Sequence, residues 1–284
     1  MTDSTLSALI ASTGDHVAVQ DWPLDDDVPM RGVVLIVHGL GEHGGRYNHV
    51  ARKLNSWGFA VRAHDHYGHG ESAGVRGGLP DKKRLISDLA DVVATTRGRM
   101  PRNTPLILLG HSLGGLVAAQ FVALRMRPID ALVLSSPAFD PGLSAFQKLL
   151  LAVLPRIAPN LRVGNGVKPQ YLSHDPAVVS AYKKDHWVHD RISARLARYI
   201  ADTGPKTVAM AKHWKVPTLL MYAGDDRLVN PAGSRAFAAA APKSLVQTVC
   251  FDKLYHEIFN EQDATPVFDT LKMWLDAHVA SVGL

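Results

Sequence analysis

A serine stands between two glycines in the run Leu109-Gly110-His111-Ser112-Leu113-Gly114-Gly115. The G-x-S-x-G pattern takes its meaning from its flanks. The apolar run Leu106 to Leu109 leads in, and a helical run from Val117 to Arg125 leads out. A tight strand-to-helix turn of this kind exposes the serine hydroxyl at the carboxyl end of a sheet. A side chain at Gly110 or Gly114 would crowd the backbone at so sharp a turn. The bland alternative, a glycine-rich turn with an incidental serine, needs neither flank. A serine hydroxyl is a weak nucleophile at neutral pH, so the same chemistry requires an imidazole to take its proton and a carboxylate to hold that imidazole. Ser112 is the expected nucleophile.

In such folds the acid and then the histidine follow the serine along the chain. Of the 14 histidines, only His256 and His278 come after the pair Asp225-Asp226. His278 falls in a helical stretch, where packing or solvation accounts for it. His256 lies in a loop beyond the apolar run Val246 to Phe251, at the strand end where catalytic groups gather, and is the expected base. Asp225 and Asp226 both follow the run Thr218 to Tyr222, and their positions leave both open as the acid. Asp252 is expected to order the histidine loop.

Acyl transfer also needs donors for an oxyanion, and losing one typically costs about 10²–10³ in rate. The backbone N–H of Leu113, directly after the nucleophile, is the first candidate. The N–H of Leu40, in the loop His38-Gly39-Leu40-Gly41-Glu42-His43, is the second. Three imidazoles and a carboxylate in His64-Asp65-His66-Tyr67-Gly68-His69-Gly70 raise the alternative of a metal site. The glycines and Ser72 favour a structured loop at the rim of the site instead, so no metal is expected. Cys250, inside an apolar run, reads as a small buried core residue.

The elements that must position these groups are short apolar runs of central-strand length: Val33 to Val37, Phe59 to Ala63, Leu106 to Leu109, Ala131 to Leu134, Thr218 to Tyr222 and Val246 to Phe251. Helical patterns lie between them, among them Asp81 to Arg97. Pro266 to Val279 closes the chain with Val267, Phe268, Leu271, Trp274 and Leu275 at helical spacing. Alternating strands and helices predict an α/β fold whose mostly parallel sheet is covered on both faces. Between Ser136 and Thr218 about eighty residues carry no clear strand, which predicts an inserted helical cap. Domain bounds follow: 1–140 and 214–284 for the core, 141–213 for the cap. Within the cap Phe146, Leu149, Leu150, Val153, Leu154 and Ile157 recur at i, i+3, i+4 spacing, with Pro155 expected to bend or end the helix. That helix either covers an apolar ligand or forms the cap's own core.

At 284 residues, 46% hydrophobic and 20% charged, the composition is that of a globular protein. The net charge of +5 is dispersed rather than gathered into a basic helix, so no nucleic-acid partner is expected. One cysteine excludes an internal disulfide and fits a reducing compartment. The first residues lack a signal-peptide pattern, and no apolar run is long enough to span a bilayer. A cytoplasmic protein with reversible membrane-surface contact is the expectation.

Together, His38-Gly39-Leu40-Gly41-Glu42-His43 with Arg46-Tyr47, Asp65-His66-Tyr67-Gly68-His69-Gly70-Glu71-Ser72, Gly110-His111-Ser112-Leu113-Gly114-Gly115 and Asp226-Arg227-Leu228 resemble monoacylglycerol lipases and related lysophospholipases. Tyr171-Leu172-Ser173-His174-Asp175-Pro176 is similar to the cap of bacterial members. The resemblance implies the α/β-hydrolase fold with an eight-stranded sheet, Asp226 as the acid, a cap that guides a lipid chain inward, and no cofactor. It also implies that Glu42 helps shape the site around a glycerol head group. One departure is Ala223, where the family carries glycine, with Gly224 following. Hydrolysis of a monoacylglycerol or similar single-chain lipid ester is the expected activity. A lysophospholipase or general esterase, a peroxidase or lyase, and a non-catalytic ligand-binding protein are the rivals.

Overall fold

The structure is a computed structural model and describes residues 4–279. Two strands that the apolar runs did not reveal come first, β1 (Thr5–Ile10) and β2 (His16–Trp22). The six expected strands follow as β3 (Gly32–Val37), β4 (Phe59–His64), β5 (Leu106–His111), β6 (Ala131–Ser135), β9 (Thr218–Ala223) and β10 (Val246–Phe251). A short pair, β7 (Arg162–Gly164) and β8 (Arg191–Ser193), forms a separate two-stranded sheet within the insertion. The main sheet has eight strands in the order β1-β2-β4-β3-β5-β6-β9-β10. It is parallel from β4 to β10, and β1 and β2 join antiparallel at one edge.

Strands β3 and β5 are buried along their whole length because helices cover both faces. Val33, Leu35, Val37, Leu106 and Leu108 join one core layer, while Val34, Ile36, Ile107 and Leu109 join the other. That period-two split is what a pleated strand imposes. The first layer is roofed by α2 (Arg84–Arg99), α3 (Leu113–Ala123), α6 (Ala194–Met210) and α7 (Ala232–Ala240). The second is covered by α1 (Asn48–Asn55) and α8 (Thr265–His278). Within α8, His278 stacks on Trp274 with ring centres 4.6 Å apart, a packing role.

Cys250 departs from expectation. Strand β10 is the far edge of the sheet and buries Val246 while exposing Gln247, Thr248 and Cys250, so the thiol faces solvent and donates to Asp252 Oδ1 at 3.3 Å. An edge strand has a neighbour on one side only, which an apolar run in the sequence does not reveal. Asp252 Oδ1 is thereby engaged with Cys250.

The insertion carries α4 (Ala145–Ile157) and α5 (Pro176–Lys184), followed by α6. A capping box starts α4: Gln147 N–H donates to Ser144 Oγ at 3.2 Å, and Ser144 N–H donates to Gln147 Oε1 at 2.9 Å. The helix runs two residues past Pro155 and ends at Ile157. None of its residues is buried. It is therefore not the core of its own subdomain: Gln147, Leu150, Leu151 and Leu154 face an internal cavity, while Phe146, Leu149, Val153 and Ile157 face outward. The other side of the insertion is tied down by polar contacts. Glu257 N–H donates to Leu172 O at 2.8 Å, Ser173 Oγ–H to Asn260 O at 2.8 Å and His174 Nδ1–H to Glu261 Oε1 at 2.9 Å. Helix α6 buries Leu196, Tyr199 and Ile200 and packs on α3 and α7. Among the described residues no helix is long and apolar enough to cross a membrane.

Candidate active site

Ser112 occupies the turn between β5 and α3 with φ 53° and ψ −118°, a conformation that costs a non-glycine residue free energy and that surrounding structure must enforce. The enforcement is visible. Ser112 N–H donates to Ser135 O at 3.0 Å on the neighbouring strand. A Cβ at Gly114 would stand 2.0 Å from Val37 O, so only glycine lets α3 start this close to β3. The turn lifts Ser112 to the carboxyl end of the sheet, where the loops after β3, β9 and β10 converge.

After β9, Asp226 is buried and fully engaged. Its Oδ1 accepts from the N–H groups of Leu228 and Val229, each at 2.9 Å, and its Oδ2 accepts from His256 Nδ1 at 2.6 Å. Asp225 instead pairs with Arg227 at the surface, at 2.9 Å. Of the two adjacent aspartates, only Asp226 is brought to the histidine. Gly224, next to the departing Ala223, makes a close approach that requires glycine: a Cβ there would lie 2.5 Å from Asp252 Cα. Burial alone would raise the Asp226 pKa, but the His256 charge and its hydrogen bonds hold it below its ordinary value. Burial likewise opposes the His256 imidazolium, yet Asp226 beside it raises the pKa above 6.5. The pair is thus built to carry a proton on His256 when one arrives.

The segments carrying Leu113 and Leu40 both reach the serine. Leu113 opens α3, so its N–H has no intrahelical acceptor and sits at the positive end of the helix dipole. The loop carrying Leu40 touches the nucleophile, since a Cβ on Gly39 would come 3.3 Å from Ser112 Cβ. Ser112, Leu40, Leu113 and His256 all border one cavity of about 340 Å³. Its polar wall is grouped around the serine and histidine: Glu42, His111 and Glu257. Leu143, Leu150, Leu151, Leu154, Leu161 and Ile192 supply an apolar wall, largely from the insertion.

Comparison with known proteins identifies the family. The family model described as serine aminopeptidase, S33, matches residues 28–263. A monoacylglycerol lipase of Mycolicibacterium smegmatis is 35% identical over 94% of this chain and 95% of its own. The crystal structure of a monoacylglycerol lipase from Paleococcus ferrophilus superposes with a TM-score of 0.83 at 34% identity, over 92% of this chain and 99% of that one. The chain belongs to the serine aminopeptidase S33 family of α/β-hydrolases. Phospholipase YtpA of Bacillus subtilis is also similar, 30% identical over 91% of this chain and the whole of its own.

Sequence patterns missed several residues of this family member's site. Glu257 follows His256 directly and borders the cavity, and the His111 ring centre lies 4.7 Å from that of His256 with the two planes tilted by 55°. Tyr182 reaches the cavity from α5. Their meeting arises from chain segments far apart, and only the adjacency of Glu257 to His256 and of His111 to Ser112 was legible. Glu42, expected near a head group, is buried with both oxygens occupied. Oε1 accepts from Gly39 N–H at 2.5 Å and Tyr47 O–H at 2.7 Å, and Oε2 accepts from Arg46.

The histidine-rich loop after β4 is tied to the loop after β3 by hydrogen bonds. His66 N–H donates to His38 Nε2 at 2.9 Å, His66 Nε2–H donates to His38 O at 3.0 Å, and His38 Nδ1–H donates to Gly39 O at 2.7 Å. Burial holds His38, His66 and His69 well below 6.5 and pushes His64 down to about 4. These rings are neutral when folded, whereas unfolded histidines bind protons below about pH 6.5. Their stabilising contribution is complete above that pH and is lost as pH falls toward 4. For His64 alone the loss is on the order of 3 kcal/mol at pH 4. Melting temperature measured from pH 7.5 to pH 5 is expected to fall steeply below 6.5. His64→Leu, which also removes two buried ring nitrogens without partners, is expected to flatten that slope.

Proposed function

We propose that this protein is a serine esterase that hydrolyses monoacylglycerols to a free fatty acid and glycerol. The observation that carries the reading is the strained Ser112, which borders the same cavity as His256 of the His256–Asp226 pair, with Glu42, His111 and Glu257 on the cavity's polar wall and leucines of the insertion on its apolar one. Ser112 Oγ attacks the ester carbonyl while His256 Nε2 takes its proton, and Asp226 stabilises the imidazolium. The N–H groups of Leu40 and Leu113 hold the oxyanion. His256 then gives the proton to the departing glycerol and activates a water that frees the fatty acid. No step calls for a cofactor or metal.

Within residues 141–213 the covering role falls to α4, β7, α5 and β8, while α6 serves as their floor on the core. The apolar wall holds the acyl chain, and each buried methylene adds about 0.8 kcal/mol, roughly fourfold in kcat/KM, until the cavity is full. The test is fatty-acid release from monoacylglycerols of graded length beside diacylglycerol, triacylglycerol and lysophosphatidylcholine. Preference for monoacylglycerols with a length optimum is expected; release confined to lysophosphatidylcholine would replace the substrate assignment.

The outward face of α4 supports transient contact with a membrane surface. Phe146 is 67% exposed, Leu149 63% and Ile157 73%, a stripe that water solvates poorly and a lipid interface accepts. The single, free cysteine fits action from a reducing cytoplasm. Leu149→Glu together with Val153→Glu is expected to lower co-sedimentation with phospholipid vesicles several-fold and to leave hydrolysis of a soluble p-nitrophenyl butyrate unchanged. Unaltered sedimentation would remove α4 from the contact.

A further inference from the structure

Arg46 lies in the turn after the oxyanion loop, and its side chain is 10% exposed. Its guanidinium spans two buried carboxylates. Nη1 donates to Glu42 Oε2 and, at 2.7 Å, to Glu257 Oε1, while Nη2 donates to Glu257 Oε2 at 2.8 Å. The Glu42 and Glu257 side chains are each 5% exposed. Each carboxylate is tied in turn to one half of the site. Glu42 accepts from the backbone of Gly39, whose carbonyl forms the peptide bond that carries the Leu40 N–H. Glu257 is the next residue after His256 and is fixed further by Asn260 Nδ2–H at 2.6 Å. The Arg46 guanidinium also lies over the ring of Tyr182 in α5, 4.8 Å from its centre.

Buried ion pairs of this kind add little net stability, because desolvating three charges offsets their attraction. What a bidentate guanidinium does provide is fixed geometry. We propose that Arg46 is a positioning residue which, through Glu42 and Glu257, holds the Leu40 amide and the His256 imidazole in register on opposite sides of Ser112. The proposal rests on the serine esterase reading above.

The triad of charges also has an electrostatic consequence. Two carboxylates and one guanidinium leave one net negative charge beside His256. The groups that face His256 are Asp226 from the loop after β9, Glu42 from the loop after β3, His111 at the end of β5 and Glu257 on its own loop. Asp226, Glu257 and Glu42 all favour the imidazolium, in that order. Neutral His111 adds no charge, since burial and the neighbouring His256 push its pKa down to about 4. Glu257→Gln keeps an acceptor for Arg46 and removes one of those charges.

The experiment compares wild type, Arg46→Lys, Glu257→Gln and Ser112→Ala on two substrates, monoacylglycerol and p-nitrophenyl butyrate, with melting temperature recorded for each. Arg46→Lys retains the charge and loses the two-pronged grip. It is expected to lower kcat about 10²-fold on both substrates with KM within about threefold, which is the effect of a misplacement near 1 Å. Glu257→Gln is expected to move the acid limb of kcat/KM down by roughly half a pH unit or more. Three outcomes would overturn the proposal. One is a raised KM for monoacylglycerol with normal kcat on p-nitrophenyl butyrate, which would make Arg46 a head-group contact. Another is an unmoved pH limb with activity lost only in proportion to melting temperature, the mark of a purely structural role. The third is wild-type kinetics in both variants. If Ser112→Ala remains active, the esterase reading itself fails, and that result is separate from all three.

Discussion

Ser112→Ala lowers fatty-acid release by between roughly 10⁴- and 10⁶-fold, the largest effect expected of any substitution in this protein. The serine backbone is held at φ 53° by the Ser135 carbonyl and by the contact of Gly114 with β3, and alanine leaves both in place. The fold should therefore survive with a melting temperature near that of wild type, and monoacylglycerol should still bind. The residual rate reflects the oxyanion donors and the cavity, which act on water attack as well as on serine attack. Quantifying fatty acid released under saturating substrate, with a fluorophosphonate label to count nucleophiles, checks the assignment. Retention of more than a tenth of the activity, or labelling at another residue, would remove Ser112 from the reaction.

Asp226→Asn is expected to reduce kcat about 10⁴-fold with little change in KM. The reason lies in what each oxygen does. Oδ1 accepts from two backbone N–H groups and Oδ2 from His256 Nδ1, so the carboxylate acts only as an acceptor. An asparagine must turn its amide NH₂ toward one side or the other. Facing Leu228 and Val229 it opposes two donors; facing His256 it forces the proton onto Nε2, where the base must be free. The second arrangement preserves the fold and destroys the base. Asp225→Asn serves as the control, since Asp225 pairs with Arg227 in solvent and such pairs contribute little; its kcat should stay within about threefold of wild type. Equal losses in the two variants would point to the turn rather than to the acid.

Much of this architecture was legible because a parallel sheet covered on both faces leaves a plain signature. Six strands appear as short, largely apolar runs, and each forms within two residues of the expected bounds. Strands β1 and β2 left no such mark, since β1 is exposed along almost all of its length and β2 interrupts its apolar residues with Gln20 and Asp21. Cys250 misled for a related reason: its neighbours are apolar, but the edge position of β10 leaves its side without cover. The amphipathic pattern of α4 was visible, whereas its role was not. Period alone cannot distinguish a helix that buries its stripe from one that lines a cavity on one flank and meets solvent on the other.

The sequence by itself determined the α/β fold, the strand-to-helix turn at Ser112 and the order in which acid and base follow it, because these depend on local pattern and chain order. Position along the chain left Asp225 and Asp226 both open until the resemblance named Asp226; tertiary structure alone decided that both oxygens of Glu42 are occupied and that Arg46 joins the loops of Gly39 and His256. Those facts depend on where the ends of separate strands converge: Arg46 and Glu257 lie 211 residues apart in the chain, yet their charged groups meet at 2.7 Å, a contact that no local spacing encodes.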